Sequence, residues 1–177
     1  MRSLHRDRSF SRIPDGVQHG MIPEVIVLFL DRALVAIGGT RDKGLVPHVH
    51  RVSGWRCSPD RKTITCLIPE AFASDLMSSL EDNGQFALTV CEVPSHETYQ
   101  FKGDYVSSRP SNEADVTDFE RCRRRFAERV ASLFGLPEEA CRAFVPEPSI
   151  AMTFQVREIF VQTPGPAAGR RLVPREE

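Results

Sequence analysis

Three polar side chains recur at every second position in the segment HETYQFKGDYV, which runs from residue 96 to residue 106. Thr98, Gln100 and Lys102 share one face of a predicted strand, because successive side chains of a strand point to opposite faces. A strand that lines a ligand groove would present hydroxyl, amide and ammonium groups in this way. An exposed strand could also carry them for solubility alone.

A second group of residues combines two cations with an indole. Arg51, Trp55 and Arg56 lie on the second predicted strand and at its end. A cationic pair near one tryptophan suits a planar anionic ligand, through charge and stacking. The alternative is surface charge beside a partly buried tryptophan.

Two histidines, His48 and His50, are two residues apart on a predicted strand and therefore point the same way. The strand rise places them about 7 Å apart, so a third ligand would be needed to complete a metal site. No other residue has a sequence spacing from these histidines that is typical of a third metal ligand. We therefore predict no metal site.

The composition is that of one ordinary globular domain. The chain has 177 residues and a formal net charge of −1, so no global field attracts it to nucleic acid or to anionic lipid. Its longest apolar run, VIVLFL, is too short to span a membrane. The five cysteines form no C-x-x-C pair, and the N-terminus lacks signal-peptide features, which favours reduced thiols and a cytoplasmic location. Cys66 and Cys91 lie in apolar strand patterns and are predicted to be core residues.

The hydrophobic patterns predict a mainly β protein with flanking helices. Six strands are predicted, at residues 33–39, 45–58, 63–68, 85–93, 97–108 and 149–163. Helices are predicted at the start of the domain, after Pro69, from Val116 to Phe134, and at 136–144. The last strand stays in phase only with a bend or bulge. Short strands with hairpin turns indicate a small antiparallel barrel, with an arm at 1–21, a domain at 22–163 and a tail at 164–177.

The order of these motifs resembles the pyridoxamine 5′-phosphate oxidase-like, FMN-binding split-barrel family. The resemblance rests on ALVAIGG, PHVHRVSGWR, TITCLIPEAFASDLMSSLEDNGQFALTV and TYQFKG, and covers about residues 22–163. No single motif is diagnostic, and the specificity comes from their succession. The resemblance implies a six-stranded antiparallel split barrel.

The resemblance also implies a homodimer with FMN in grooves at the dimer interface. The strand that corresponds to TYQFKG lies beside the flavin in the family, which makes Thr98, Gln100 and Lys102 candidate FMN contacts. Arg51 matches a basic residue of the second strand and would contact the phosphate or the ring. Thr65, on the third strand, would lie near the ring system.

One departure from the family concerns the phosphate. Active oxidases place an Arg-Lys pair and a serine at the start of the helix after the third strand, where this chain has PEAFASDL. Ser74 remains as a hydroxyl donor, but Glu70 and Asp75 add negative charge, which opposes a dianionic phosphate. Arg51, Arg56 or Lys102 would have to supply the missing positive charge.

These observations leave three functions open. The first is an FMN-binding protein, a flavin-dependent oxidoreductase of unknown substrate. The second is a split-barrel dimer that has lost flavin and acts as a binding or interaction module. The third is a haem-binding split barrel with His48 or His50 as an axial ligand.

Overall fold

The structure is a computed structural model that describes residues 21–32 and 34–173. The predicted arm lies outside these residues, apart from residue 21. The elements are, in chain order, α1 (Glu24–Leu30), β1 (Leu34–Arg41), β2 (Pro47–Arg51), β3 (Gly54–Cys57), β4 (Thr63–Pro69), α2 (Glu70–Asn83), β5 (Gln85–Glu92), β6 (Thr98–Pro110), α3 (Glu113–Phe134), α4 (Glu138–Arg142), β7 (Pro148–Val161) and β8 (Arg171–Val173).

One antiparallel sheet forms the body of the protein. Seven strands follow the order β2-β1-β5-β6-β7-β4-β3, and the short strand β8 pairs with β7 outside this path. The mainly β class with flanking helices is confirmed, but the predicted number of six strands is wrong. The predicted strand at residues 45–58 is divided into β2 and β3, and β8 lies within the residues assigned to the tail.

The division of that segment closes the barrel. The Val52 N–H donates to the Ala36 carbonyl on β1 at 3.0 Å, and the next residue, Ser53, donates to the Leu67 carbonyl on β4 at 2.8 Å. The chain therefore passes, within two residues, from β2 at one end of the strand order to β3 at the other end. An alternating pattern runs through both β2 and β3, so hydrophobic periodicity alone does not reveal the crossing.

The core lies inside the curled sheet, and α1 and α2 pack against it. Leu76 and Leu80 of α2 are buried there, as their helical spacing predicts. Helix α2 ends at Gly84, whose φ of 66° is the left-handed conformation that favours glycine after a helix. The core also contains the buried side chains Ile64, Cys66, Leu88, Phe101, Met152, Phe154 and Ile159.

A second, smaller cluster lies on the outer face of the sheet, beneath α3. Leu67 and Ala151 of the sheet pack there against Phe119 of α3 and against Val145, which follows α4. Helix α3 begins with a capping box in which Asn112 and Asp115 each accept the other's backbone N–H. The helical segment between β6 and β7 thus covers one part of the outer face.

The predicted irregularity in the last strand is confirmed. Lys102 pairs with Glu158 and Gly103 pairs with Val156, which leaves Arg157 as an extra residue in β7. A Cβ atom at Gly103 would collide with the Gln155 carbonyl oxygen, so the close approach of β6 and β7 requires glycine there.

The cysteine predictions are confirmed only in part. Cys66 is fully buried in the core, as predicted, whereas Cys91 is half-buried because its side chain lies on the outer face of β5. No helix within residues 21–32 and 34–173 is long and apolar enough to cross a membrane.

Candidate functional site

The outer face of the sheet has two parts with different surroundings. We call the part on β3, β4 and the facing end of β7 the covered half, because α3 and the segment that follows α4 lie over it. We call the part on β1, β2, β5, β6 and the other end of β7 the open half, where Ile37 is 45% exposed and Val49 is 67% exposed. Most of the sequence-predicted site residues are divided between the two, whereas the Trp55 ring lies in the core and Ser74 lies on α2.

Trp55 is a packing residue on β3. It is 4% exposed, and its indole Nε1 donates to the Leu30 carbonyl at 3.1 Å. The ring therefore offers no face to a ligand. Of the two readings of this cluster, the structure gives no support to stacking of a planar anion on this indole, because the ring packs in the hydrophobic core.

Arg56, on the outer face of β3, is held by α3. One guanidinium nitrogen, Nη1, contacts a carboxylate oxygen of Asp115 and one of Asp118, each at 2.8 Å. These two carboxylates raise the pKa of Arg56, with the hydrogen bond to Asp118 the largest contribution. Its charge is therefore already neutralised within the chain, which removes Arg56 as a source of positive charge for a phosphate.

Asp115 is the centre of this ion-pair network. Its side chain has 0% exposure and binds Arg56 on one side and Arg109 of β6 on the other. Burial alone would raise the pKa of this carboxyl group. Hydrogen bonds from Arg109, from the Asn112 backbone and from Arg56 outweigh burial and lower the pKa to about 2.

Thr65, on β4, also lies in the covered half. It pairs with Arg56 across β3 and β4, and its hydroxyl oxygen is 2.9 Å from that of Thr153 on β7. It is 9% exposed. The hydroxyl that the resemblance places near a flavin ring thus has a hydrogen-bond partner on a neighbouring strand.

Arg51 lies at the boundary between the two halves. Its guanidinium carbon is 5.0 Å from the centroid of the Phe126 ring on α3. Burial lowers the pKa of Arg51. The attraction between the guanidinium charge and the aromatic ring offsets only part of the hydration that Arg51 loses on burial.

The beginning of α2 carries the residues that replace the family's phosphate-binding pair. Glu70, Ser74 and Asp75 are all exposed there. Pro69 precedes the helix and makes no side-chain cap, and Glu70 lies in the first turn. Two carboxylates and one hydroxyl group do not match a dianionic phosphate, so this position does not fit FMN in the family's manner.

The strand register aligns the remaining predicted residues in the open half. One row across the sheet contains Arg51, Ile37, Thr89, Gln100 and Phe160. The adjacent row contains Val49, Gly39, Ala87, Lys102 and Glu158. Gln100 donates from Nε2 to the Thr89 hydroxyl oxygen at 3.1 Å, and its amide oxygen accepts no hydrogen bond in residues 21–32 or 34–173.

Thr98 lies on the same face as Gln100 and Lys102, but its hydrogen bonds are made within the chain, at the start of β6. It is 9% exposed and donates from Oγ1 to the His96 carbonyl at 2.9 Å. Its backbone N–H donates to the Thr163 hydroxyl oxygen at 3.0 Å. The predicted alternation is therefore correct, yet only Gln100 and Lys102 of the three are placed to meet a ligand.

A groove of about 620 Å³ crosses the open half. Its floor includes Gly39 and Ala87, and three cationic residues line it: Arg41, Lys102 and Arg157. Of the eight predicted site residues, Lys102 alone lines this groove. The other residues that line the groove were not predicted from the sequence. Two features of the sequence point to them: the two consecutive glycines in β1 and the break in the alternating pattern of β7.

His50 points away from this face into the core. It is 6% exposed, and its Nε2 atom has no hydrogen-bond partner in the part of the chain that the structure describes. Burial, and secondarily the charge of His48, lower the pKa of His50 to about 4. The ring lies between Phe72 and Phe86, with centroid separations of 5.9 and 6.1 Å. A buried imidazole packed in this way does not fit a haem ligand.

His48, the other imidazole considered for haem or metal, is half-buried on β2. Its Nε2 atom lies 3.6 Å from a carboxylate oxygen of Asp42. No group of three or more metal-ligating side chains occurs among residues 21–32 and 34–173. His48 therefore lies beside one surface carboxylate and not within a cluster of ligands.

Comparisons with known proteins identify the fold. No family model and no curated protein matches this sequence. Among solved structures, HupZ from Group A Streptococcus is 17% identical, with 84% of this chain and 100% of that chain covered and a TM-score of 0.52. An FMN-binding protein from Syntrophomonas wolfei is 15% identical, over 77% of this chain and 88% of that one, with a TM-score of 0.45.

A third similar structure is that of HutZ, described as the heme storage protein from Vibrio cholerae. It is 14% identical, over 78% of this chain and 93% of that one, with a TM-score of 0.42. At these identities the likeness establishes the fold alone, and it is the likeness to HupZ that carries this conclusion. The predicted resemblance is thereby confirmed at the level of fold: the chain is a split barrel.

Proposed function

We propose, from the split-barrel fold that this chain shares with HupZ, that it binds FMN on the open half of its sheet as a homodimer. The observation that carries the proposal is the groove, which is about 620 Å³ in volume and has a floor of small residues. A flat ring can lie against Gly39 and Ala87, where larger side chains would exclude it. The apolar side chains of Ile37 and Val49 beside it are exposed and would be covered by a second copy.

Individual residues of the open half support a flavin in this position. The Gln100 amide and the Thr89 hydroxyl can exchange hydrogen bonds with a polar ring edge. Lys102 adds a positive charge at the groove. The covered half does not support it, because Trp55, Arg56 and Thr65 are engaged within the chain.

Glycine 39 gives a specific reason to assign the groove to a ligand. A Cβ atom there would meet one neighbour within 4 Å, the His48 carbonyl oxygen at 3.9 Å, which is an ordinary contact. A Cβ atom at the adjacent Gly38 would instead lie 2.7 Å from His50 and Phe86. Packing therefore demands glycine at residue 38 but not at residue 39, and an open groove accounts for the second glycine.

A bound flavin would supply the redox chemistry. The chain would orient the ring through Gln100 and would exclude water from one of its faces by contact with the sheet. We therefore propose a flavin-dependent oxidoreductase. Its substrate would approach the other face of the ring.

A second function, that of a dimeric binding or interaction module without flavin, is favoured by the beginning of α2. Glu70 and Asp75 are exposed where the family has its phosphate-binding pair. Helix α3 also covers the β3–β4 part of the outer face. In this alternative the open half binds the second copy or another protein directly.

The decisive experiment is the absorption spectrum of the purified protein, followed by titration of the stripped protein with FMN. We expect flavin absorption and micromolar binding. Gly39→Leu fills the groove without a backbone clash and should abolish binding, whereas Ala114→Leu, on the exposed surface of α3, should not. A colourless protein that does not bind FMN would refute the flavin proposal and favour the module.

The homodimer is tested separately by sedimentation at several protein concentrations. We expect a mass of about twice the 19.9 kDa of one chain. Val49→Asp, which places a charge on the open half, should shift the protein towards the monomer. A monomer at every concentration, with or without FMN, would contradict the dimer.

A further inference from the structure

The open groove has an excess of positive charge at one end. Arg41, Lys102 and Arg157 line it together with two carboxylates, Asp104 and Glu158. Both carboxylates have partners: Arg157 donates from Nε to Asp104 at 2.8 Å, and Arg171 lies 2.6 Å from Glu158. The charges that remain to be balanced are those of Lys102 and Arg41.

Among the residues that the structure describes, no carboxylate is an ion-pair partner of Lys102. Its Nζ atom lies 4.9 Å from the centroid of the Phe160 ring. Arg41 Nη1 donates to the Asp42 carbonyl at 3.1 Å, and its distance to the Asp82 carboxylate is 4.0 Å, the limit of an ion pair. Both side chains are long and flexible, so they can reorient toward a ligand at small cost.

The strand register lets these two cations reach one ligand. Arg41 lies on β1 and Lys102 on β6, with Ala87 of β5 between them. Two strand spacings and a two-residue offset place their Cα atoms about 12 Å apart. The floor between the two charged groups is formed by Ala87 and by Gln85, whose side-chain amide can also donate a hydrogen bond to a phosphate.

The β-bulge contributes the third cation. Arg157 is the extra residue of β7, and Gly103 opposite it is required by the close approach of the two strands. The bulge thereby places Arg157 at the groove and directs it onto Asp104. Bulges next to binding sites commonly redirect a side chain in this manner.

We propose that this end of the groove binds a phosphate group, with Lys102 and Arg41 as its direct contacts and with Arg157 neutralising Asp104 beside it. The inference rests on the proposed flavin function in one respect: it assigns the phosphate of FMN to the β6–β7 bulge and not to the beginning of α2. The site itself needs only a phosphate-bearing ligand.

The first test compares FMN with riboflavin, which lacks the phosphate. A charge-assisted hydrogen bond predicts that FMN binds at least about tenfold more tightly. Lys102→Ala should reduce this preference severalfold and leave riboflavin affinity unchanged, whereas Lys62→Ala, at an exposed lysine outside the groove, should preserve the preference. Equal affinities in the unmodified protein would overturn the phosphate assignment while leaving flavin binding intact.

The second test does not require flavin. The chain has three lysines, Lys43, Lys62 and Lys102, whose acylation can be followed individually by mass spectrometry. Inorganic pyrophosphate should protect Lys102 from an amine-reactive reagent and leave Lys62 reactive. If pyrophosphate protects Lys102 but FMN does not bind, the phosphate site stands and the flavin function fails. Failure of pyrophosphate and of FMN to protect Lys102 would overturn the site.

Discussion

The covered and open halves use the same kinds of residue for different purposes. In the covered half, Arg56 and Thr65 have charge or hydrogen-bonding capacity suited to a ligand, yet Asp115, Asp118 and Thr153 satisfy it. In the open half, Lys102 has no carboxylate partner among residues 21–32 and 34–173. A residue type therefore indicates a binding site only where the fold leaves that residue without an internal partner.

The largest expected effect is in the covered half. Asp115→Ala would leave Arg56 and Arg109 without their shared carboxylate and would remove one half of the capping box of α3. We expect the free energy of unfolding to fall by about 2 to 4 kcal/mol, because charge-assisted hydrogen bonds and one half of the capping box are lost while both guanidinium groups keep access to solvent. Denaturant unfolding measures this loss.

The matched control for that change is Glu113→Ala, in the same first turn of α3 but exposed. It should cost less than about 1 kcal/mol, because only the interaction with the helix dipole is lost. Similar losses for the two variants would show that the buried network does not stabilise the covered half.

The next effect concerns His50, in the core beneath the open half. Its pKa of about 4 lies below the ordinary value of 6.5 because the neutral form is the one that is buried. Protonation therefore favours unfolding, and the stability present above pH 6.5 should fall by about 3 kcal/mol as the pH decreases to 4.

His50→Leu should flatten this pH dependence, as measured by urea unfolding between pH 7 and pH 4. His48→Leu is the control, because His48 is half-buried on the same strand and has Asp42 as a partner. An unchanged slope in His50→Leu would exclude His50 as the group responsible.

A smaller effect is expected from Thr65→Val. The substitution removes the hydroxyl contact with Thr153 and should lower the free energy of unfolding by about 1 kcal/mol. FMN affinity should not change, because Thr65 lies in the covered half. A marked loss of FMN binding without a loss of stability would show that the binding site extends into the covered half.

The smallest effect on stability is expected in the open half. Lys102→Ala should change the free energy of unfolding by less than about 0.5 kcal/mol, since the side chain is exposed and has no ion pair among the described residues. Thermal unfolding without ligand measures this value. A loss above 1 kcal/mol would indicate that Lys102 has a structural role like that of Arg56.

The sequence predicted the fold more fully than the site. Local patterns located helix α2 and the β5–β6 hairpin, because their spacing and turn residues are encoded within short segments. The division of residues 45–58 into β2 and β3 was missed, since it depends on hydrogen bonds to Ala36 and Leu67. The strand count was therefore wrong although the class was correct.

The site was harder to predict because partners distant in sequence decide it. Arg56 and Asp115 are 59 residues apart, and nothing near Arg56 in the sequence shows that its charge is neutralised. Gly39 and Ala87 carry no reactive group, so their importance comes from the space above them. Lys102 was found because its alternation on one strand is a local property.

The two-residue crossing at Val52 and Ser53 has a consequence for folding kinetics. The β1–β2 and β3–β4 hairpins can form locally, but they become parts of one closed sheet only when β4 pairs with β7. That pairing joins Thr65 to Thr153, which are 88 residues apart. Because such long-range closure is slow, we expect folding on the millisecond-to-second scale, with the formation of helices α3 and α4 preceding the final strand.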